Sequence, residues 1–181
     1  MIPARTLGAW LIVLALTSHA WAEWPANVTS VESQKGKTVT VTGKLESGAP
    51  IDDLSWAANS SVACFPATQN VRFRGNHVLY ATQLPPRSIM TITVTPDDPA
   101  ADVSIYAYTI GTTNYALPPQ LSSCVSCEAE YKWDRPKRGK TQDHTRTIKL
   151  NAIGNPYNVV IGVSGPKEAV SGGYTLSISI Q

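Results

Sequence analysis

Residues 88–108 read SIMTITVTPDDPAADVSIYAY, and the fold class turns on this stretch. Residues 89–94 place Ile, Thr and Val as a pleated, half-buried strand requires, and residues 103–108 resume that pattern with Val, Ile, Tyr and Ala. Between the runs, Asp97-Asp98-Pro99 supplies turn chemistry, because proline withholds a ladder donor and aspartate side chains bond nearby backbone amides. Two β-runs joined by such a turn predict a hairpin, with further strands packed on it.

Upstream, residues 38–42 (TVTVT) alternate cleanly and predict a first strand. Residues 71–73 and 77–83 read as two short runs interrupted by Gly75-Asn76, a turn or bulge signal. Residues 51–69, with Trp56 and Cys64, are less regular and read as a covering loop. Downstream, residues 120–141 hold no sustained period and read as a long surface excursion. Regular strands return at 145–150, 157–163 and 174–180, and the last (YTLSISI) sets Tyr174, Leu176, Ile178 and Ile180 on one face against Thr175, Ser177 and Ser179 on the other. Helical periodicity and internal repeats are both missing. Short strands separated by Gly and Pro turns predict an all-β, antiparallel β-sandwich.

The N-terminus reads as an export signal. Arg5 precedes the apolar residues 7–16, a run too short to span a bilayer, and His19-Ala20-Trp21-Ala22 places small residues at the cleavage positions. Cleavage after Ala22 leaves 159 of the 181 residues, enough for one domain with its own core. The expected division is a signal peptide at 1–22, an N-terminal extension at 23–66 with one strand that joins or covers the sandwich, and the sandwich itself at 67–181, with a long basic, cysteine-containing loop at 114–144. Loss of Arg5 leaves 14 basic against 13 acidic residues, a net charge of +1, which argues against a nucleic-acid partner and against an acidic halophilic shell. The mature protein is expected to be secreted or periplasmic and to lack an integral membrane span.

Export implies an oxidising environment, so the three cysteines Cys64, Cys124 and Cys127 predict one disulfide and one remaining thiol. Closing about sixty residues from Cys64 to Cys124 or Cys127 stabilises by roughly 4 kcal/mol in the chain-entropy model, against about 2 for Cys124 to Cys127. Stability favours the long bridge, with the short one as the alternative. The Cys124-Val125-Ser126-Cys127 spacing also occurs in redox and zinc sites, but the βαβ setting of the former and the second ligand pair of the latter are missing; only Cys64, His77 and His144 stand at a distance in sequence.

From about Arg72 onward the succession of segments resembles the bacterial pre-peptidase C-terminal domain. The matching pieces are GNHVLYATQLPPRSIMTITVTP at 75–96, ADVSIYAY at 101–108 and SGGYTLSISI at 171–180. The resemblance implies a jelly-roll-like sandwich without catalytic residues, an accessory to exported enzymes. Two departures from that pattern are the lack of an attached peptidase and the presence of the 23–66 extension and the 124–146 excursion.

Three groups of residues are candidates for chemistry. Asp97, Asp98 and Asp102 offer carboxylates to calcium, though Asp-Asp-Pro is also ordinary turn sequence; no other cofactor is expected. Asp143-His144 has the form of a charge-paired base, but no nucleophile motif accompanies it, and an exposed loop histidine is the simpler reading; His77 reads as a surface or packing residue. The third group is electrostatic. Lys132, Arg135, Lys137, Arg138, Lys140, Arg146 and Lys149 are 7 of the 14 mature basic residues and face only Asp134 and Asp143 in the same window, a local charge of +5. With Tyr131 and Trp133 beside them, they predict an electropositive loop with aromatic platforms. The expected function is a non-catalytic exported binding or accessory module. It would dock an anionic polysaccharide, a cell-surface polymer or an exported protein through Tyr131, Trp133, Arg135, Lys137, Arg138 and Lys140. The alternative is a structural or secretion-assisting module, and a hydrolytic or redox enzyme is the least favoured.

Overall fold

The computed structural model describes residues 24–181, so the predicted signal peptide lies outside the described residues. Among the described residues there are ten strands: β1 (Val28–Ser30), β2 (Thr38–Lys44), β3 (Ala49–Pro50), β4 (Asn76–Leu84), β5 (Ser88–Pro96), β6 (Ser104–Ile110), β7 (Ser126–Glu130), β8 (Arg146–Ala152), β9 (Tyr157–Ser164) and β10 (Gly173–Ile180). They form a β-sandwich, as the sequence predicts. The first sheet runs β1-β4-β9-β6-β7, with β3 also on β4, and the second runs β2-β10-β5-β8. Only the β1–β4 pairing is parallel within the sheets.

The predicted hairpin is not one. β5 pairs with β10 and β8 in the second sheet, whereas β6 pairs with β9 and β7 in the first. Residues 97–103 therefore arch from one sheet to the other. Burial explains the separation: β5 alternates between core and outer face, while every residue of β6 is buried. A strand that is apolar on both faces belongs in the middle of a covered sheet, and a strand with one wet face does not. The arch is built as the aspartates suggest, with Asp98 Oδ1 accepting from the Ala100 N–H at 2.9 Å and the Asp97 N–H donating to the Gly173 carbonyl at 2.9 Å.

Between the sheets lies the main core, to which odd-numbered residues of β6 and β9 (Ile105, Ala107, Ile161, Val163) and even-numbered residues of β10 (Leu176, Ile178) contribute. A second apolar cluster occupies the opposite face of the first sheet. There Leu79, Tyr106, Tyr108 and Val160 meet Val62, Phe73, Leu117 and Leu121, which arrive from segments 51–75 and 111–125. Burying each large side chain there contributes about 1.5–3 kcal/mol, enough to hold irregular backbone flat against a sheet. Residues 51–75 cover the sheet with 3-10 turns at Ser55–Ala58 and Asn70–Arg72 and one α-helical turn at Phe65–Thr68. The short run predicted at 71–73 is thus a helical turn. Of its three residues only Phe73 is fully buried, between Tyr106 and Tyr131, so alternation has nothing to act on.

Two contacts fasten this cover. Cys64 joins Cys127 of β7 with Cα atoms 6.1 Å apart, closing the long loop that the stability argument favours. His77 sits beneath the cover, 3.0 Å from the Tyr106 hydroxyl through Nδ1 and 2.7 Å from the Phe73 carbonyl through Nε2. A carbonyl only accepts, so Nε2 carries the proton and Nδ1 accepts from Tyr106. Burial holds this imidazole neutral, with its pKa lowered to about 4. Tyr106 in turn lies over Gly162, its cross-strand partner on β9, where any Cβ would run into the ring.

Strand β7 falls inside the excursion read as aperiodic. It alternates after all, but with Cys127 and Ala129 inward and Ser126 and Glu128 outward. Its inward residues are too small to register as an apolar period.

Candidate functional site

Residues 131–145 connect β7 on the first sheet to β8 on the second, crossing the open side of the sandwich. This loop carries the basic cluster, and Trp133 is its best-anchored member. The Trp133 N–H donates to Gln142 Oε1 at 2.7 Å, and Gln142 Nε2 donates back to the Trp133 carbonyl at 3.1 Å. The indole Nε1–H donates to Glu130 Oε1 at 2.7 Å. Gln142 thus clamps the two limbs of the loop at Trp133, and Glu130 at the end of β7 sets the ring's orientation. The tip reverses at 137–140, where the Lys140 N–H donates to the Lys137 carbonyl at 3.1 Å and Gly139 takes a φ of 70°, a conformation glycine adopts without steric cost. That reversal swings Lys137 back until its Nζ stands 4.3 Å from the indole centroid, a cation–π contact.

The other predicted residues fall into different places. Tyr131 is half-buried and packs edge-on against Phe73 at 6.2 Å, so it is a floor rather than an open platform. Arg135, Arg138 and Lys140 are exposed. Asp134 is engaged by Arg72 from the cover, which removes an acidic neighbour from the cluster. Arg146 does not belong to the exposed cluster. It is 2% exposed, its Nη1 donates to the Asp143 and Thr145 carbonyls at 2.6 and 3.0 Å, and its Nη2 lies 3.8 Å from Asp102 Oδ1. Burial lowers its pKa against the opposing pull of Asp102, Glu130 and Asp143. The residue is inward because β8 alternates from its first position.

Two grooves adjoin Trp133. One, of about 450 Å³, runs past Gln69, Tyr131 and Arg135. The second, of about 260 Å³, runs past Lys140, Thr141, Thr145 and Thr147. Glu130, Trp133 and Lys137 line both, and a further carboxylate lines each, Asp134 the first and Asp143 the second.

The remaining candidates disperse. Cys124 stays a thiol whose pKa is raised by burial, with Sγ 2.6 Å from the Ser61 carbonyl, so Cys124 and Cys127 are not a redox pair. Asp97 lies against Gly173, Asp98 caps its own turn and Asp102 faces Arg146, so the three carboxylates do not converge. Among the described residues no group of three His, Cys, Asp or Glu is placed to hold a metal ion. The Asp143 carboxylate accepts from the Thr145 N–H at 2.9 Å, which turns it into the backbone rather than making it the partner of a histidine base. His77 is a buried packing residue, as described above. Gln142, Glu130 and Arg72 shape the site without having been singled out in the sequence; nothing in their spacing signals it, since each acts across a loop or from the cover.

The fold and this loop define the class: a β-sandwich with one covered sheet face and a basic, tryptophan-bearing loop beside the cover. No family model matches the sequence, and no curated protein matches it either. Three solved structures show a similar fold. The periplasmic inhibitor of g-type lysozyme, PliG, from Aeromonas hydrophila is 12% identical, over 86% of this chain and 98% of its own, with a TM-score of 0.44. The pre-peptidase C-terminal domain of a Bacillus anthracis collagenase is 10% identical, over 88% of this chain and 99% of its own, at 0.38. CorA, a surface-associated copper-binding protein of Methylomicrobium album BG8, is 10% identical, over 86% of this chain and 98% of its own, at 0.45. The family that the strand order resembles is therefore among the similar structures, as a likeness of fold. Among the described residues no helix is long and apolar enough to cross a membrane.

Proposed function

We propose that the protein is an exported, non-catalytic binding module whose 131–145 loop docks an anionic ligand. The observation that carries this reading is the fixing of Trp133: two hydrogen bonds to its backbone, one from its indole N–H and a stacked ammonium hold an aromatic residue in the middle of a basic surface loop. A solvated loop that served solubility alone would have no need of this order, and ordering an aromatic side chain in advance lowers the entropic cost of binding. Arg135, Arg138 and Lys140, exposed around the ring, supply the long-range attraction. The signal-peptide pattern and the Cys64–Cys127 disulfide support export.

Replacing Lys137, Arg138 and Lys140 together by serine tests the reading. Retention of the mature protein on immobilised anionic polymer at low ionic strength is expected to fall roughly tenfold, as three exposed charge contacts of up to about 1 kcal/mol each would give at partial occupancy. Unchanged retention would remove the loop from the function.

A further inference from the structure

Resting on the anionic-docking reading, we infer that the ligand is a linear acidic polysaccharide laid across the Trp133–Lys137 pair, with sugar residues in both grooves, rather than an acidic protein segment. The two grooves share one wall, and that wall is an indole with an ammonium 4.3 Å from its centre and the Glu130 carboxylate on its N–H. Whatever passes from one groove to the other meets an aromatic ring and a cation at nearly the same point. An acidic sugar ring suits both. Its C–H groups carry the partial positive charge that an aromatic face attracts, and its carboxylate or sulfate projects from the rim. An acidic peptide or a polyphosphate supplies the charge but no flat C–H surface in register with it.

Beyond the wall, the grooves are equipped for hydroxyl groups. Gln69 flanks one, and Thr141, Thr145 and Thr147 flank the other, so both offer donors and acceptors that need no charge on the ligand. Arg135 stands at the first groove and Lys140 at the second, one cation beyond the wall on each side. The carboxylates in these linings each have a partner within the protein, Glu130 the indole N–H, Asp134 the Arg72 guanidinium and Asp143 the Thr145 N–H, so the cations before, at and after the wall are the charges that meet a chain with a repeating acid group. The orientation of the wall is secured from outside the ligand, by Glu130 on the indole N–H and by Gln142 on the Trp133 backbone, so neither groove has to form on binding.

Calorimetric titration of the mature protein with oligouronates of two and six residues, with a neutral hexasaccharide of the same linkage and with poly-glutamate of matched charge separates the possibilities. The hexauronate is expected to bind at least tenfold more tightly than the diuronate, and at least tenfold more tightly than the neutral hexasaccharide or poly-glutamate. Trp133→Ala should cost the hexauronate tenfold or more and poly-glutamate less than threefold. Trp133→Phe, which keeps a ring but not the bond to Glu130, should fall between, and unchanged melting temperatures would show both variants folded. Equal affinity for hexauronate and poly-glutamate, insensitive to Trp133, would overturn the saccharide inference while leaving anionic docking intact. Failure of the wild-type protein to bind any of the anionic probes would overturn both.

Discussion

The second sheet shows water one of its faces, whereas the central strands of the first, β6 and β9, show water neither. On β10, Thr175, Ser177 and Ser179 alternate with buried Leu176, Ile178 and Ile180, and the register sets Thr40, Ser177, Thr93 and Thr147 in one row across all four strands. Thr93 and Thr147 close that row with a hydroxyl contact at 3.0 Å. On β9 and β6 there is no polar alternation to match, because Tyr106, Tyr108 and Val160 occupy the face away from the main core. The hydroxyl face is complete when its sheet forms; the aromatic face is complete only once residues 51–75 and 111–125 lie on it. What distinguishes this molecule from a bare sandwich is therefore the cover, and the basic loop begins where the cover ends, with Arg72 of one holding Asp134 of the other.

That contrast breaks most readily at the disulfide. Replacing Cys64 and Cys127 by serine should cost roughly 4 kcal/mol, the chain-entropy value for a loop of this length. The loss should be uneven: hydrogen exchange is expected to accelerate in residues 51–75 and on β7 well before β10, and equal acceleration in both sheets would contradict the division drawn here.

Acid probes the same boundary more gently. Unfolded, His77 takes a proton near pH 6.5, while in the fold its pKa is lowered to about 4. The unfolded state therefore binds more protons between these values. The contribution of neutral His77 is complete above about pH 6.5 and falls as pH drops toward 4, by about 3 kcal/mol in all. Denaturant titrations at pH 7 and 4.5 should show this loss in the wild type and a shallower one in His77→Gln; parallel losses would show that the imidazole does not govern it.

The smallest effect is expected on the wet face. Ser177→Val should change stability by no more than about 0.5 kcal/mol, since the side chain it replaces stands in a solvated row. A loss above 1 kcal/mol in thermal or denaturant unfolding would mean that this face, too, is covered.

The same contrast governs what could be read from residues alone. β10, β5 and β2 announce themselves because one face of each must be polar, and polarity at every second position is visible in a sequence. β6 and β9 were legible as strands but not as neighbours: an unbroken apolar run says that both faces are covered without saying by what. β7 stayed hidden because its inward residues, Cys127 and Ala129, are small. Within the loop, the cluster of charge and the two aromatic residues were visible, whereas the clamp by Gln142 and the inward turn of Arg146 depend on which strand begins where. Loop length favoured a long bridge from Cys64 without choosing between Cys124 and Cys127, and its meaning as a rivet for the cover was not legible.

The position of β10 has a kinetic consequence. It follows β2 and β5 in the chain yet lies between them, with Ser177 opposite Thr40 on one side and Thr93 on the other. In this sheet β2 pairs with β10 alone, and β5, which has β8 on its other side, keeps one edge unpaired until residues 173–180 are present; the β2 contacts then formed span most of the sequence. Folds dominated by such distant pairings close in milliseconds to seconds rather than microseconds. Synthesised from its N-terminus onward, the chain leaves β2 and one edge of β5 unpaired until β10 enters between them and joins the two.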